Sequence, residues 1–276
     1  TDYDPDEIER KISINSAVCY LDWQDNKINI VDSPGYTNFL WDARAGLRAV
    51  DAGILMISAA SGVEVGTEKS WGMMEELNLP LIFAVNKIDR ENTSFNQSVE
   101  GIQEFFGREA VPVQIPIGEE NNFKGVVDLI HKKAYIYETD GSGACKESDI
   151  PDDLKEEAQT KIEELTEMIA ENDESLMEKY FENGELTTEE MIAGFKKSVL
   201  SRQLFPVFAV SAEKNIGTRQ ILDGVVDVLP NPVQRGTVPA EEGEVKLSED
   251  EPFSALVFKT ISDPYTGRIS IMRILS

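Results

Sequence analysis

Three short apolar runs, each followed at once by a polar cluster, dominate the pattern of this chain. The runs lie at residues 27–31, 80–85 and 205–210, and they end in Asp32-Ser33-Pro34-Gly35, Asn86-Lys87-Ile88-Asp89 and Ser211-Ala212-Glu213-Lys214. Short runs of β-branched or aromatic residues bounded by turn residues indicate buried strands. Helical patterns follow the clusters, which predicts parallel strands in one sheet. Because the carboxyl ends of parallel strands share one edge, we expect the three clusters to converge on one site.

Strand and helix patterns alternate through the first 110 residues. Residues 12–21 and 27–31 predict an antiparallel hairpin, and residues 53–60 predict a further strand. Apolar residues at helical spacing follow: Phe39, Ala43, Leu47 and Val50, then Trp71, Met74 and Leu77, then Phe95, Val99, Ile102 and Phe106. This alternation predicts an α/β fold with a mostly parallel, doubly wound sheet.

The alternation stops near residue 111. Short strand patterns lie at residues 111–117, 123–129 and 133–137, an acidic helical pattern covers 151–172, and Thr187-x-x-Glu190 has the form of a capping box that begins another helix. We therefore expect an α+β insertion at 111–202 inside a domain formed by residues 1–110 and 203–232. A charged linker without periodicity then covers 233–251. Residues 252–276, with a turn at 263–267, predict a hairpin that opens a β-domain.

Composition narrows the class of protein. The 276 residues are 41% hydrophobic and 28% charged, no run is long and apolar enough to span a bilayer, and the N-terminal residues are acidic, unlike a signal peptide. Two cysteines are too few for a disulfide scaffold or a zinc site, which suggests a reducing cytoplasm. A formal charge of −25 argues against passive binding to nucleic acid through a general basic surface, and the simplest interpretation of the charge is that it keeps the protein soluble. His131, the only histidine, lies beside two lysines and is interpreted as a solvated loop residue.

The second and third clusters suit a guanine base. The Asp89 carboxylate can accept parallel hydrogen bonds from the ring N–H and the amino group of guanine, which adenine does not offer in that arrangement. Asn86 can bond a base acceptor and join neighbouring loops, the Lys87 stem can cover the ring face, and the Ser211-Ala212 backbone can turn N–H groups toward the guanine carbonyl. Each tetrapeptide alone would equally suit an ordinary turn, but their order at two strand ends makes the interpretation specific.

The first cluster suits a phosphate and its metal ion. Asp32 can hold Mg²⁺ directly or through water, because Mg²⁺ takes few protein carboxylates and keeps several waters. Gly35 has no Cβ, so its N–H can approach a terminal phosphate closely. An ordinary Pro-Gly turn would be the preferred interpretation if this tetrapeptide stood alone.

Taken in order, these motifs resemble the translational GTPases of the elongation factor G family over nearly the whole chain. Residues 9–14 resemble the end of the first switch, residues 32–36 the second switch, and the clusters at 86–90 and 211–215 the two guanine motifs. Residues 116–118 with 123–129 resemble the insertion typical of elongation factor G. Residues 253–259 with 263–268 resemble the start of its β-barrel domain.

The resemblance implies a P-loop-NTPase-like domain that binds GTP or GDP with Mg²⁺, and Ser13 matches the switch threonine that ligates Mg²⁺. It further implies a monomer that engages rRNA and ribosomal proteins and couples GTP hydrolysis to translocation. No membrane or DNA partner is expected.

Three departures from the family pattern change these expectations. No Gly-x-x-x-x-Gly-Lys-Ser/Thr loop occurs, so we expect the phosphate loop and its strand to precede Thr1, and residues 1–276 alone to bind nucleotide weakly or not at all and to be inactive. Tyr36 occupies the position of the histidine that orients the attacking water, and Lys11 stands where glycine is common. Because a phenol replaces imidazole poorly, Tyr36 points to an elongation-factor-G-like paralogue with slow or altered hydrolysis. The alternatives are a GTP-responsive ribosome-binding module with little or no hydrolysis and a ribosomal protection factor.

Overall fold

The computed structural model describes residues 1–263 and 265–276. Its strands are β1 (Ala17–Trp23), β2 (Asn26–Asp32), β3 (Gly53–Ser58), β4 (Leu81–Asn86), β5 (Ala110–Pro112), β6 (Gln114–Ile117), β7 (Gly125–Asp128), β8 (Lys133–Tyr137), β9 (Cys145–Ser148), β10 (Phe205–Ala209), β11 (Thr237–Pro239), β12 (Glu244–Lys246), β13 (Ala255–Asp263) and β14 (Gly267–Ile274). Its helices are α1 (Pro5–Arg10), α2 (Leu40–Leu47), α3 (Val65–Glu76), α4 (Phe95–Phe106), α5 (Lys155–Ala170), α6 (Glu174–Asn183), α7 (Thr188–Leu200), α8 (Thr218–Val228) and α9 (Pro232–Arg235). The predicted turn at 263–267 includes Pro264, which lies outside the described residues.

The chain divides into two compact units. The first contains Thr1–Gly53, Val65–Leu79 and Pro230–Ser276, and the second contains Ile54–Glu64 and Pro80–Leu229. This division is by contacts in the structure. The domain boundaries expected from the sequence stay a prediction.

The second unit is built on a four-stranded sheet in the order β3-β4-β10-β5. β10 runs parallel to β4 on one side and to β5 on the other. The β4 residues from Leu81 to Val85 have no exposed surface, and every residue of β10 is buried. Strands covered on both faces carry continuous apolar runs, which is why the pattern at 80–85 and 205–210 identified them. The prediction that these two strands lie parallel in one sheet is confirmed.

A second sheet in the same unit is antiparallel, in the order β6-β7-β8-β9. The prediction of one strand at 111–117 is wrong, because the chain changes sheets at Val113. β5 pairs with β10 in the parallel sheet, while β6 pairs with β7. The sequence analysis also missed α6 and β9, whereas the capping box of α7 is confirmed, with Thr187 Oγ1 accepting from the Glu190 backbone N–H at 3.2 Å.

His131, at the turn between β7 and β8, is held between two carboxylates. Its Nδ1 lies 3.0 Å from Asp128 Oδ2 and its Nε2 lies 3.5 Å from Asp227 Oδ2 on α8. The hydrogen bond to Asp128 raises the pKa of His131 to about 9. His131 therefore lies in a loop, as predicted, but the interpretation of its ring as simply solvated is wrong.

The first unit contains the predicted hairpin of β1 and β2, which pair antiparallel from Ala17↔Asp32 to Trp23↔Asn26. Positive φ angles at Gln24 and Asp25, 47° and 58°, form the tight turn that joins strands adjacent in sequence. β2 belongs to this two-stranded sheet in the described residues. The run at 27–31 is therefore a strand, but among the described residues the prediction that it belongs to the parallel sheet is wrong.

The C-terminal hairpin of β13 and β14 is confirmed, with a bulge between Val257 and Lys259. The segment predicted as a charged linker without periodicity, 233–251, contains the small hairpin of β11 and β12, and α9 lies at its edge. Paired segments of three residues are too short to give a periodic pattern. No helix among the described residues combines the length and apolar character that crossing a bilayer requires.

Candidate functional site

The end of β4 and the loop after β10 meet at the Asn86 side chain. Asn86 Oδ1 accepts the backbone N–H of Lys87 at 2.7 Å and that of Ala212 at 3.0 Å. Lys87 adopts a left-handed conformation with φ of 67°. The parallel pairing of β4 with β10 brings these carboxyl ends together, so the structure places the second and third clusters side by side in one unit.

Two pairs of charged side chains join the same two loops. Lys214 Nζ lies 4.0 Å from Asp89 Oδ2, and Arg90 Nη2 lies 3.8 Å from Glu213 Oε2. Asp89 is buried, while Arg90 and Glu213 are exposed. Lys214 also donates to the Asn121 carbonyl at 3.3 Å. Sequence reasoning named Lys214 only as part of a motif, and the structure places its charge beside the carboxylate expected to read the base.

The loop after β10 is closed by its own hydrogen bonds. The Ser211 N–H donates to the Ile216 carbonyl at 2.9 Å, the Ile216 N–H returns to the Ser211 carbonyl at 3.0 Å, and Ser211 Oγ accepts the Lys214 N–H at 3.2 Å. Ser211 is completely buried. The N–H groups of Ser211 and Ala212 therefore donate to Ile216 and Asn86. Their predicted direction toward a guanine carbonyl stays a prediction.

Asp32, at the end of β2, lies in the first unit and is half-buried. Thr1 Oγ1 donates a hydrogen bond to Asp32 Oδ2. Burial raises the pKa of the Asp32 carboxyl, and the negative charges of Asp2 and Glu7 raise it further. Asp2 also accepts a hydrogen bond from Ser13 Oγ at 2.9 Å. The convergence of the Asp32 cluster with the other two clusters stays a prediction.

Gly35 and Tyr36 follow Asp32 in open surroundings. A Cβ built on Gly35 would meet no atom within 4 Å, so nothing in the described residues requires glycine there. The Tyr36 side chain is exposed, with 59% of its surface accessible.

These features can be compared with proteins of known family. A family model for the elongation factor Tu GTP binding domain matches residues 1–231. The chain belongs to this family of GTP-binding domains. A crystal structure of a protein from Thermus thermophilus is similar over 100% of this chain, with a TM-score of 0.88 and 32% sequence identity. The chain covers 39% of the length of that protein.

The α/β fold with the parallel sheet of β4, β10 and β5, followed by β-rich segments, is that of a GTP-binding domain of this family with part of a barrel. Guanine-nucleotide binding follows from the family. The residues at the β4 and β10 ends have the chemistry that the base needs, because Asp89 supplies a buried acceptor and Asn86 joins the end of β4 to the Ala212 backbone.

The donor set in the first unit fits a magnesium ion. Asp32 and Ser13 both offer oxygen, and the carboxylates of Asp2 and Glu7 add negative charge around Asp32. Among the described residues no group of three or more His, Cys, Asp or Glu side chains could hold a metal ion. Oxygen donors are those that Mg²⁺ takes, and it needs few protein ligands when a nucleotide supplies phosphate oxygens, so the assignment of Asp32 and Ser13 stays a prediction.

Sequence reasoning missed Glu7 of this GTP-binding domain. Glu7 is 2% exposed, and its Oε1 accepts the backbone N–H groups of Ile14 at 2.9 Å and Asn15 at 3.0 Å. These hydrogen bonds lower the pKa of its carboxyl, with that of Asn15 contributing most. Glu7 therefore fixes the segment directly after Ser13. The spacing Asp4-x-x-Glu7, a capping box, was the signal that could have identified α1.

Proposed function

We propose that the chain is part of an elongation-factor-G-like GTPase that binds GTP or GDP with Mg²⁺ and couples hydrolysis to ribosomal translocation. The observation that carries the proposal is the junction at Asn86, where one side chain joins the two loops expected to hold guanine. The antiparallel sheet of β6 to β9 with α5 to α7 lies where that family carries its insertion, which supports the finer assignment.

In this proposal each site residue has one task. Asp89 accepts hydrogen bonds from the guanine N1–H and 2-amino groups, and Asn86 bonds the base while holding the Ala212 loop. The Ser211–Ala212 backbone faces the 6-carbonyl. Asp32 and Ser13 would hold Mg²⁺, which neutralises phosphate charge when bound. Gly35 lets the backbone approach the terminal phosphate.

The decisive experiment changes the side chain at position 89 so that it favours xanthine over guanine. Xanthine carries an oxygen where guanine carries the 2-amino group, so an amide N–H₂ at position 89 would donate where a carboxylate accepts. In the full-length protein we expect Asp89→Asn to weaken GDP binding about 100-fold, through loss of two charge-assisted hydrogen bonds. We expect XDP binding to strengthen at least about tenfold.

Asp128→Asn is the matched control, because Asp128 and Asp89 are equally buried at 7% exposed. This control is expected to leave the GDP-to-XDP preference unchanged. Isothermal titration with both diphosphates measures the preference. If Asp89→Asn changed GDP and XDP binding by the same factor, the base-reading role of Asp89 and with it the proposed site would be rejected.

A second candidate function is a GTP-responsive ribosome-binding module with little hydrolysis. Tyr36 favours it, because this exposed phenol stands where the family has a histidine. A phenol is a poor general base at neutral pH. Ribosome-stimulated turnover of the full-length protein separates the two candidates.

A further inference from the structure

The parallel sheet loses a main-chain partner just before the loop that carries Ser211. On the β5 side of β10, the Val113 N–H donates to the Val207 carbonyl at 3.1 Å and continues the ladder. The Val113 carbonyl then turns away, since it accepts the Leu129 N–H at 3.0 Å beside the antiparallel sheet. The next donor on that side of β10, the Ala209 N–H, therefore needs another acceptor.

The side chain of Gln114 supplies that acceptor. Gln114 Oε1 accepts the Ala209 N–H at 2.8 Å, and Gln114 is 1% exposed. Its Nε2 has no hydrogen-bond partner among the described residues. Gln114 thus contributes one buried oxygen, which adds a single hydrogen bond to the ladder on this side of β10. That bond is made at Ala209, two residues before Ser211.

The antiparallel sheet also contacts the chain after the loop. Tyr137 Oη, on β8, donates to Gln220 Oε1 in the first turns of α8, and both side chains are buried. Gly217, which precedes α8, has φ of 82°, and a Cβ there would collide with the Ala209 carbonyl. The chain is therefore held on both sides of the loop from 211 to 217, before it by the Gln114 contact with Ala209 and after it by the Tyr137 contact with Gln220.

We propose that Gln114 is a positioning residue for guanine recognition: it fixes the position of the loop in which the exposed Ala212 N–H, a donor to Asn86 Oδ1 at 3.0 Å, is also shared with the 6-carbonyl of the base. This inference rests on the proposed function. Gln114 does not touch the base in this proposal. It acts through Ala209. The next residue, Val210, is held on the opposite side of the strand, where its N–H donates to the Val85 carbonyl of β4 at 2.9 Å.

Nucleotide analogues separate positioning from general stability. The experiment uses the full-length protein with Gln114→Met, which keeps the length and removes the acceptor oxygen. The ligands are GDP, IDP, which lacks the 2-amino group, and 6-thio-GDP, whose sulfur is a weak acceptor. If Gln114 acts through the 6-carbonyl contact, GDP and IDP should each bind about tenfold more weakly to the variant. 6-thio-GDP should lose less than about threefold, because it has little of that contact to lose.

Two further variants keep the test sharp. Gln114→Glu retains an acceptor oxygen and should restore the wild-type order of the three ligands even if it lowers stability. Ser198→Ala is a matched control, since Ser198 is also 1% exposed and donates to the Gly194 carbonyl within α7 at 3.0 Å. It should leave all three affinities unchanged. Equal losses for GDP, IDP and 6-thio-GDP in Gln114→Met, or no loss at all, would overturn the proposal.

A failure of the proposed function would look different. It would appear in the wild-type protein as GDP binding no tighter than ADP binding. Hydrogen exchange of the nucleotide-free protein then still tests the physical premise. Peptides covering residues 209–213 should exchange about tenfold faster in Gln114→Met and at the wild-type rate in Gln114→Glu. Unchanged exchange in Gln114→Met would overturn the positioning role.

Discussion

The Asn86 side-chain oxygen accepts the backbone N–H of Ala212 across 126 residues of sequence, at 3.0 Å. The same oxygen accepts the Lys87 N–H at 2.7 Å, so one atom fixes the turn after β4 and the loop after β10 together. A base-recognition site needs both loops in register. The junction makes Asn86 structural as well as a candidate ligand of the base.

Two substitutions at Asn86 should separate these roles. Asn86→Ala leaves two backbone N–H groups without their acceptor, so we expect a loss of about 1–3 kcal/mol in stability together with weaker GDP binding. Asn86→Asp keeps an acceptor oxygen but loses the amide donor. It should unfold near the wild-type temperature while binding GDP at least about tenfold more weakly.

Thermal unfolding and calorimetric titration of the full-length protein measure both effects. Asn96→Ala, an exposed asparagine on α4, is the control and should change neither. Equal stability loss in Asn86→Ala and Asn86→Asp would contradict a junction made through the oxygen.

The central strands could be predicted from the sequence because burial on both faces gives continuous apolar runs. The break at Val113 could not, since residues 111–117 read as one run. The break arises because the Val113 carbonyl accepts the Leu129 N–H, and the Ala209 N–H therefore has a different acceptor. The pairing of β2 with β1 was predicted, but its assignment to the parallel sheet was wrong, because an apolar run identifies a strand without showing which sheet it joins.

The residues of the candidate site also divide into those that the sequence pattern identified and those that it did not. Asn86, Asp89 and Ser211 were found because their side chains form a local motif at a strand end. Glu7 and Gln114 were missed because their importance lies in bonds to the backbone of other segments. His131 was misjudged for a related reason, since one of its two carboxylate partners is on α8, far along the chain.

Tyr36 tests whether the second switch supports hydrolysis. Imidazole has an ordinary pKa near 6.5 and can accept a proton from water at neutral pH, whereas a phenol cannot do so efficiently. We expect Tyr36→His to raise ribosome-stimulated GTP turnover at least about tenfold, and Tyr36→Phe to leave it unchanged. Single-turnover phosphate release from the full-length protein measures both.

Tyr20→His is the control, because Tyr20 is also an exposed tyrosine of the first unit and belongs to none of the motifs. A large loss of turnover in Tyr36→Phe would mean instead that the phenol hydroxyl takes part in the reaction.

Lys259 should stabilise the first unit measurably. Its side chain is 9% exposed, and its Nζ donates to the Ser16 carbonyl at 2.6 Å and to Asp42 Oδ2 at 3.2 Å. This links β13 to α2 and to the start of the first hairpin. Because Lys259→Met leaves a partly buried carboxylate without its cation, we expect a loss of about 2 kcal/mol in the free energy of unfolding.

Lys246→Met provides the comparison, since Lys246 pairs with Glu251 at 3.5 Å on the surface. It should cost less than about 0.5 kcal/mol. Urea unfolding of both variants measures the loss in the free energy of unfolding. Equal losses would show that Lys259 contributes no more than a surface ion pair.

His131 should make the second unit less stable as pH rises into the alkaline range. Its pKa is raised to about 9, chiefly by the hydrogen bond to Asp128. The charged imidazole therefore stabilises the fold fully below its unfolded pKa, near 6.5, and the contribution is lost as pH rises through about 9. The side chain is one-third exposed, so solvent screening limits the effect to about 1 kcal/mol between pH 6 and pH 10.

Urea unfolding of the wild-type protein and His131→Gln at both pH values isolates this contribution, since other titrating groups cancel in the difference. Lys196, whose pKa burial lowers, is such a group, while Tyr135 does not titrate there because burial raises its pKa to about 12. Asp227→Asn should reduce the pH-dependent difference but not abolish it, because Asp128 remains. A difference between wild type and His131→Gln that stayed constant from pH 6 to pH 10 would mean that the two carboxylates hold the neutral ring as firmly as the charged one.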